Sequence, residues 1–104
     1  MVNSDKVRGY LGLAMKAGKI VAGYDAVCEC IQKKKAKLVI VSCEASDRTK
    51  NDIKRLCEKN DVICVEYAKI EFLSNAIGKS NKAIVCIKDN NFATAIKNIL
   101  MEGI

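Results

Sequence analysis

The sequence predicts an α/β fold, a three-layer α/β/α sandwich with helices on both faces of a central four-stranded sheet that is mixed but mainly parallel. Two observations carry this. Short β-branched apolar runs recur along the chain, and between them the apolar residues switch to the i, i+3, i+4, i+7 spacing of a helix with one buried face. The alternation runs from end to end with no proline to break it.

From Val7 onward, Val7, Tyr10, Leu11, Ala14 and Met15 share one helical face; Ser4 can cap the start and Gly18 marks the end. Ile20-Val21-Ala22 is a short β-like run. After Gly23 a second helix carries Ala26, Val27, Cys30 and Ile31 on one side, and Lys33-Lys34-Lys35 closes it, where cations complement the negative end of the helix dipole. Leu38-Val39-Ile40-Val41 is continuous and apolar, as in a strand covered on both faces. Ser46 or Thr49 then caps a third helix with Ile53, Leu56 and Cys57 inward.

Val62-Ile63-Cys64-Val65 reads as the next strand, and Ile70, Leu73 and Ile77 as a short fourth helix that stops at Gly78. Ala83 to Ile87 is a further buried strand. Asp89-Asn90-Asn91 opens the last helix, whose inner face is Phe92, Ala95, Ile96, Ile99 and Leu100. Parallel pairs are expected to dominate, with the short first strand able to pair either way. No linker, repeat or low-complexity stretch interrupts the order, so residues 1–104 are expected to form a single domain.

Lys and Arg total 18 against 12 Asp and Glu, a net charge of +6. An excess of that size, clustered in loops, points to a polyanionic partner. No stretch approaches the roughly 18 apolar residues of a membrane span, and Met1 to Lys6 is polar, so no membrane partner and a cytoplasmic location are expected. Of six cysteines, Cys43, Cys64 and Cys86 lie inside apolar runs, where a reduced thiol behaves as a small buried hydrophobe.

Catalytic chemistry is hard to assemble. The chain has no histidine, which removes the commonest general base and metal ligand. Cys28 and Cys30, two apart on a helix, point in different directions and cannot form a zinc or redox pair. No phosphate loop occurs; Gly78-Lys79-Ser80 lacks the upstream glycine. The chain is therefore expected to be no enzyme and to hold no cofactor, metal or small-molecule substrate.

Nucleic-acid binding fares better. In a helix–strand alternation the loops at one end of the sheet lie together. Here they are Gly23-Tyr24-Asp25, Cys43 to Arg48, and Gly78 to Lys82. Amides opening the second helix can bind phosphate, and Arg48, Lys79 and Lys82, with Lys16 and Lys19, extend a positive rim. Ordinary solvated loops would have a similar composition. With only five aromatic residues the chain is a poor single-strand stacking platform, and structured RNA read through its backbone suits it better.

Three segments carry a resemblance. They are Leu11 to Gly23 (LGLAMKAGKIVAG), Ala36 to Val41 followed by Ala45-Ser46, and Ala76-Ile77-Gly78-Lys79. Together, in order and spacing, they resemble the bacterial YlxQ branch of the ribosomal protein L-seven-Ae/L-thirty-e superfamily. The resemblance implies an α/β/α sandwich whose edge grips kink-turn or kink-turn-like RNA, with ribosomal RNA or the ribosome as partner. Taking the loop edge and this resemblance together, the expected binding residues are Lys19, Gly23, Tyr24, Asp25, Arg48, Gly78, Lys79 and Ser80. The family's kink-turn signature, Asn-Glu, two spacers and Lys, falls on Asp25, Ala26 and Glu29, and none of its three residues is retained. After Gly78, where strong kink-turn binders carry an apolar patch, this chain has Lys79, Ser80 and Asn81. A protein-interaction module on the same fold, without specific kink-turn recognition, is the alternative.

Overall fold

Among residues 2–103, which the computed structural model describes, five helices alternate with four strands. Met1 and Ile104, the ends of the expected 1–104 unit, lie outside the described residues. The order is α1 (Ser4–Lys16), β1 (Ile20–Ala22), α2 (Tyr24–Gln32), β2 (Leu38–Val41), α3 (Asp47–Lys59), β3 (Cys64–Glu66), α4 (Ile70–Ala76), β4 (Ile84–Ile87) and α5 (Asn90–Glu102).

Most boundaries follow local chemistry. Ser46 caps α3 by accepting the Thr49 amide at 3.1 Å, and Asp89 caps α5 by accepting the Phe92 amide at 2.9 Å. At α1 the cap is Asn3 rather than the expected Ser4. The Asn3 side-chain oxygen accepts from the Lys6 amide at 3.1 Å, while the Ser4 hydroxyl turns to Tyr67 at 2.9 Å. Asn and Ser cap about equally well, so the long-range bond decides between them. β3 begins two residues later than expected, because Val62 is still closing the turn after α3 with its amide on the Cys57 carbonyl.

The sheet is four-stranded and mixed, as expected, in the order β1-β4-β2-β3. The expectation that parallel pairs dominate is overturned: β2–β3 is parallel, but β1–β4 and β2–β4 are antiparallel. β1, β2 and β3 do run in one direction, as right-handed crossovers through α2 and α3 require. The seven-residue α4 and the loop behind it return the chain to the end of the sheet it left. β4 therefore runs back between β1 and β2 and opposes both.

Alternate strand residues face opposite layers. Leu38, Ile40, Val85 and Ile87 pack against Val7 and Leu11 of α1, Leu73 of α4, and Ile96 and Ile99 of α5. Val39, Val41, Ile84 and Cys86 pack against Val27 and Ile31 of α2 and Ile53 of α3. All are buried, and helices cover both faces. The cysteines divide differently from expectation. Cys86 is buried and Cys64 half-buried, but Cys43 is exposed, because the chain has left β2 and entered a turn before reaching it. No described helix is long and apolar enough to cross a membrane.

This topology brings the C-terminal ends of β1, β2 and β3 and the start of β4 to one end of the sheet. The loops placed together by the sequence do meet there.

Candidate nucleic-acid interface

Gly23 joins β1 to α2 at that end. Its amide donates to the Ile84 carbonyl at 3.0 Å, continuing the β1–β4 ladder by one residue. Its backbone, at φ 97° and ψ 156°, occupies a region open essentially to glycine alone. α2 starts directly behind it, with no side chain capping its first turn. The other four helices are closed at their N-termini: α1, α3 and α5 by their own Asn3, Ser46 and Asp89, and α4 by Glu44, whose carboxylate accepts the Ile70 amide at 2.8 Å. Among the described residues, α2 alone presents its opening turn without a side-chain partner. Tyr24, Asp25 and Ala26 are exposed there, at the positive end of the helix dipole.

Two buried serines tie the neighbouring loops down. Ser42 donates its hydroxyl to the Ala68 carbonyl at 2.8 Å and accepts the Glu44 amide at 3.0 Å, joining the loop after β2 to the loop after β3. Ser74, on the inner face of α4, accepts the Lys82 amide at 2.8 Å and donates to the Lys82 carbonyl at 3.3 Å. That pair fixes the segment 77–83 against its own helix. Lys79 and Lys82 are thereby held over a depression of about 340 Å³ that also takes in Met15, Ala22 and Ala26. Lys82 reaches over Gly23, and a β-carbon built on that glycine would sit 3.7 Å from Nζ. Gly78 bends the chain at φ 71°, and Ser80 beyond it is exposed.

Arg48 stands in the first turn of α3, its side chain 92% exposed, with Nε 3.9 Å from the Asp52 carboxylate. Asp52 in turn accepts from the Tyr24 hydroxyl at 3.5 Å. Arg48 and Tyr24 thus meet through Asp52. Partial desolvation, then Cys28 and Asp52, raise the Tyr24 hydroxyl above its ordinary range, so it stays a neutral donor. Glu29, where the family signature has lysine, bonds the Lys33 ammonium at 2.6 Å. That bond holds its carboxyl below the usual range.

Seven of the eight expected site residues, Gly23, Tyr24, Asp25, Arg48, Gly78, Lys79 and Ser80, belong to the loops and helix starts at this end. Lys19 does not. Its carbonyl accepts the Lys88 amide at 2.8 Å at the opposite end of β1, beside Lys34, Lys35 and Lys37. The three residues of β1 carry it roughly 10 Å away, at a rise of about 3.3 Å each. Sequence reasoning also missed Ser42, Glu44, Ser74 and Asp52. Ser74 interrupts the apolar face of α4 and Ser42 ends the apolar run of β2, and a polar residue inside such a pattern was the available signal.

No group of acidic or sulfur side chains suited to a metal occurs among the described residues. Burial pushes the Cys28 thiol up, and Cys86 likewise, the reverse of what a nucleophilic cysteine needs.

The sequence pattern of the ribosomal protein L7Ae/L30e/S12e/Gadd45 family matches residues 5–97. An RNA-binding protein YlxQ from Enterococcus faecium is 37% identical over 101 residues, covering 97% of this chain and 96% of its own. Another from Bacillus subtilis is 36% identical over 93 residues, 86% of this chain and 90% of its own. Among solved structures, a protein of unknown function from Bacillus halodurans C superposes with a TM-score of 0.89 at 26% identity, covering 91% of this chain and 96% of that one. The Giardia lamblia 15.5kD RNA binding protein superposes with a TM-score of 0.80 over 97% of this chain and 89% of its own; at 18% identity it speaks to the fold alone.

Proposed function

The chain belongs to the ribosomal protein L7Ae/L30e/S12e/Gadd45 family, in its YlxQ-like branch, and from that premise we propose that it is a non-catalytic, cytoplasmic RNA-binding protein associated with ribosomal RNA. It grips structured, kink-turn-like RNA at the loop end of the sheet. The observation that carries this reading is the uncapped first turn of α2 behind Gly23, flanked by Lys79 and Lys82. Phosphate oxygens accept from the open amides of that turn and from the two ammonium groups. Arg48 adds a further cation, free to swing because it is so exposed. Tyr24, 44% exposed, offers a ring face to an unstacked base. Asp25 accepts from a guanine edge.

Contacts with three to four phosphates should give a plot of log affinity against log salt with a slope of about −3. Titrating a ribosomal kink-turn hairpin at several salt concentrations measures it. Lys79→Glu should weaken binding to every RNA alike, because a phosphate contact carries no sequence information. Affinity indifferent to salt would sink the reading.

One observation favours a second reading, a protein-interaction module. Asp25 and Glu29 put two carboxylates where family members present Asn and Lys to RNA. Partners that stay bound after nuclease treatment of a pull-down would support it; partners released by nuclease support RNA binding.

A further inference from the structure

The depression beneath Lys79 and Lys82 does not end at the loops. It shares Val21 and Ala26 with a second depression of about 210 Å³, which contains Lys33, Lys35 and Lys88. That one shares Lys35 and Lys88 with a third, of about 310 Å³, lined by Lys19, Lys34 and Lys37. The three make one trough along β1, the edge strand of the sheet, from the loop end to the far end.

The trough is electrostatically one-sided. Of the six lysines in its middle and far parts, Lys33 is paired with a carboxylate, Glu29, among the described residues. Lys34 bonds a neutral amide oxygen, that of Asn60, at 2.6 Å. Asp89, next to Lys88, is committed to the Phe92 amide. Among the described residues five ammonium groups are left without a carboxylate partner, an arrangement that repels itself in the folded chain.

Backbone conformation fixes the place of one of these lysines. Lys34 occupies the left-handed region at φ 62°, closing α2 with its amide on the Ile31 carbonyl while the Lys35 amide bonds the Cys30 carbonyl. This helix ending favours glycine. Gly18 and Gly78 take the corresponding place after α1 and α4, at φ 71–72°, and Asp61 takes it after α3, at φ 57°. At α2 a lysine holds the position in spite of its β-carbon.

We propose that this trough is a second phosphate-contact surface, which carries the sugar–phosphate backbone of a stem leading away from the RNA held at the loop end. The proposal rests on the RNA-binding reading above and extends its footprint to the far side of a molecule about 25 Å across. The occupant is a nucleic-acid backbone rather than an acidic protein on two grounds. The trough is continuous with the open amides of α2. Its lysines also line adjoining depressions without the large apolar anchor on which protein interfaces depend.

The test uses two hairpins that share one ribosomal kink-turn, one with a long flanking stem and one with that stem cut back. Wild-type protein should bind the long stem more tightly and with the steeper salt slope. Replacing Lys34, Lys35, Lys37 and Lys88 by glutamine should make the long-stem slope shallower by about 3 and lower affinity at least tenfold, leaving the cut-back hairpin unaffected. K79E/K82E should weaken both hairpins. If the four-lysine variant binds the long stem with the wild-type slope while K79E/K82E weakens both, the trough proposal fails and the loop-end reading stands. If K79E/K82E binds both as wild type while the four-lysine variant weakens the long stem alone, the trough is upheld and the loop-end reading fails; loss of both hairpins by the four-lysine variant overturns the proposal. Lys34→Gly separates contact from folding. Relieving the strain should raise the melting temperature by about 4 °C, yet binding to the long stem should weaken. A glycine variant that binds the long stem as tightly as wild type overturns the proposal.

Discussion

Gly23 is held by its backbone conformation rather than by lack of room. A β-carbon there would meet only the flexible end of Lys82, at 3.7 Å, yet φ 97° with ψ 156° excludes any other residue without strain. Gly23→Ala should therefore cost about 1–3 kcal/mol in a urea melt. RNA affinity should fall further than the lost folded fraction explains, because relieving the strain re-aims the first turn of α2. The signature positions act through charge. Glu29 is exposed and paired to Lys33, a solvent-screened bridge of the kind that adds little on a helix surface. Restoring the family pattern as D25N/A26E/E29K should thus cost little stability. It should raise affinity for a standard kink-turn on the order of tenfold or more, since one charge-assisted bond to phosphate replaces a repulsion. An unchanged kink-turn affinity in gel-shift titrations would show that the RNA is not held there.

At the scale of elements, local chemistry was legible and lateral chemistry was not. Gly18, Ser46, Gly78 and Asp89 mark ends that depend on a residue and its neighbours three or four places away, so the sequence shows them directly. The Ser74–Lys82 clamp, the Glu44 cap on α4 and the Tyr24–Asp52–Arg48 chain join residues that meet only once the sheet exists. Lys19 was misplaced for a related reason: in a three-residue strand, neighbours in sequence stand at opposite ends of the sheet. The Ser74 clamp has a measurable consequence. Ser74→Ala strips the half-buried Lys82 amide of its partner, costing about 1–3 kcal/mol, and frees the loop that carries Lys79. Chemical denaturation and RNA titration of that variant should both show the loss. α3 is fastened to β3 by Glu66, which meets Lys54 at 3.1 Å and Lys50 at 3.2 Å. These bonds, Lys54 first, hold the Glu66 carboxyl below its ordinary value. A lowered native pKa gives stability that is present above the unfolded value, about 4.3, and lost as pH falls through the native one. Glu66→Gln should accordingly melt below wild type at neutral pH, and the gap should close as the solution is acidified toward about pH 3. A gap independent of pH would assign the bridge no role.

Across the whole molecule the sequence of elements was readable because every apolar run is short and punctuated, whereas the sheet order depends on β4 slipping between β1 and β2, a choice made by long-range packing. That insertion also gathers sulfur into one layer. Cys30, Cys57 and Cys86 come from α2, α3 and β4 yet lie in the same buried cluster, and the Cys86 thiol sits 3.6 Å from that of Cys30. Burial raises Cys86, and Cys57 is raised by the bond it donates to Cys64 and then by burial, so neither ionises in the folded state at neutral pH. Cys43, outside the core, is exposed. A thiol-alkylating reagent at neutral pH should therefore label Cys43 first. Cys30 borders the depression beside Lys33, whereas Cys57 and Cys86, on two different elements, are sealed in the shared core layer, so reagent reaches those two only when that layer opens. Their labelling, followed by mass spectrometry, should share a single slow rate that rises together with added urea. Two distinct rates for Cys57 and Cys86 would mean that α3 and β4 part from the core separately.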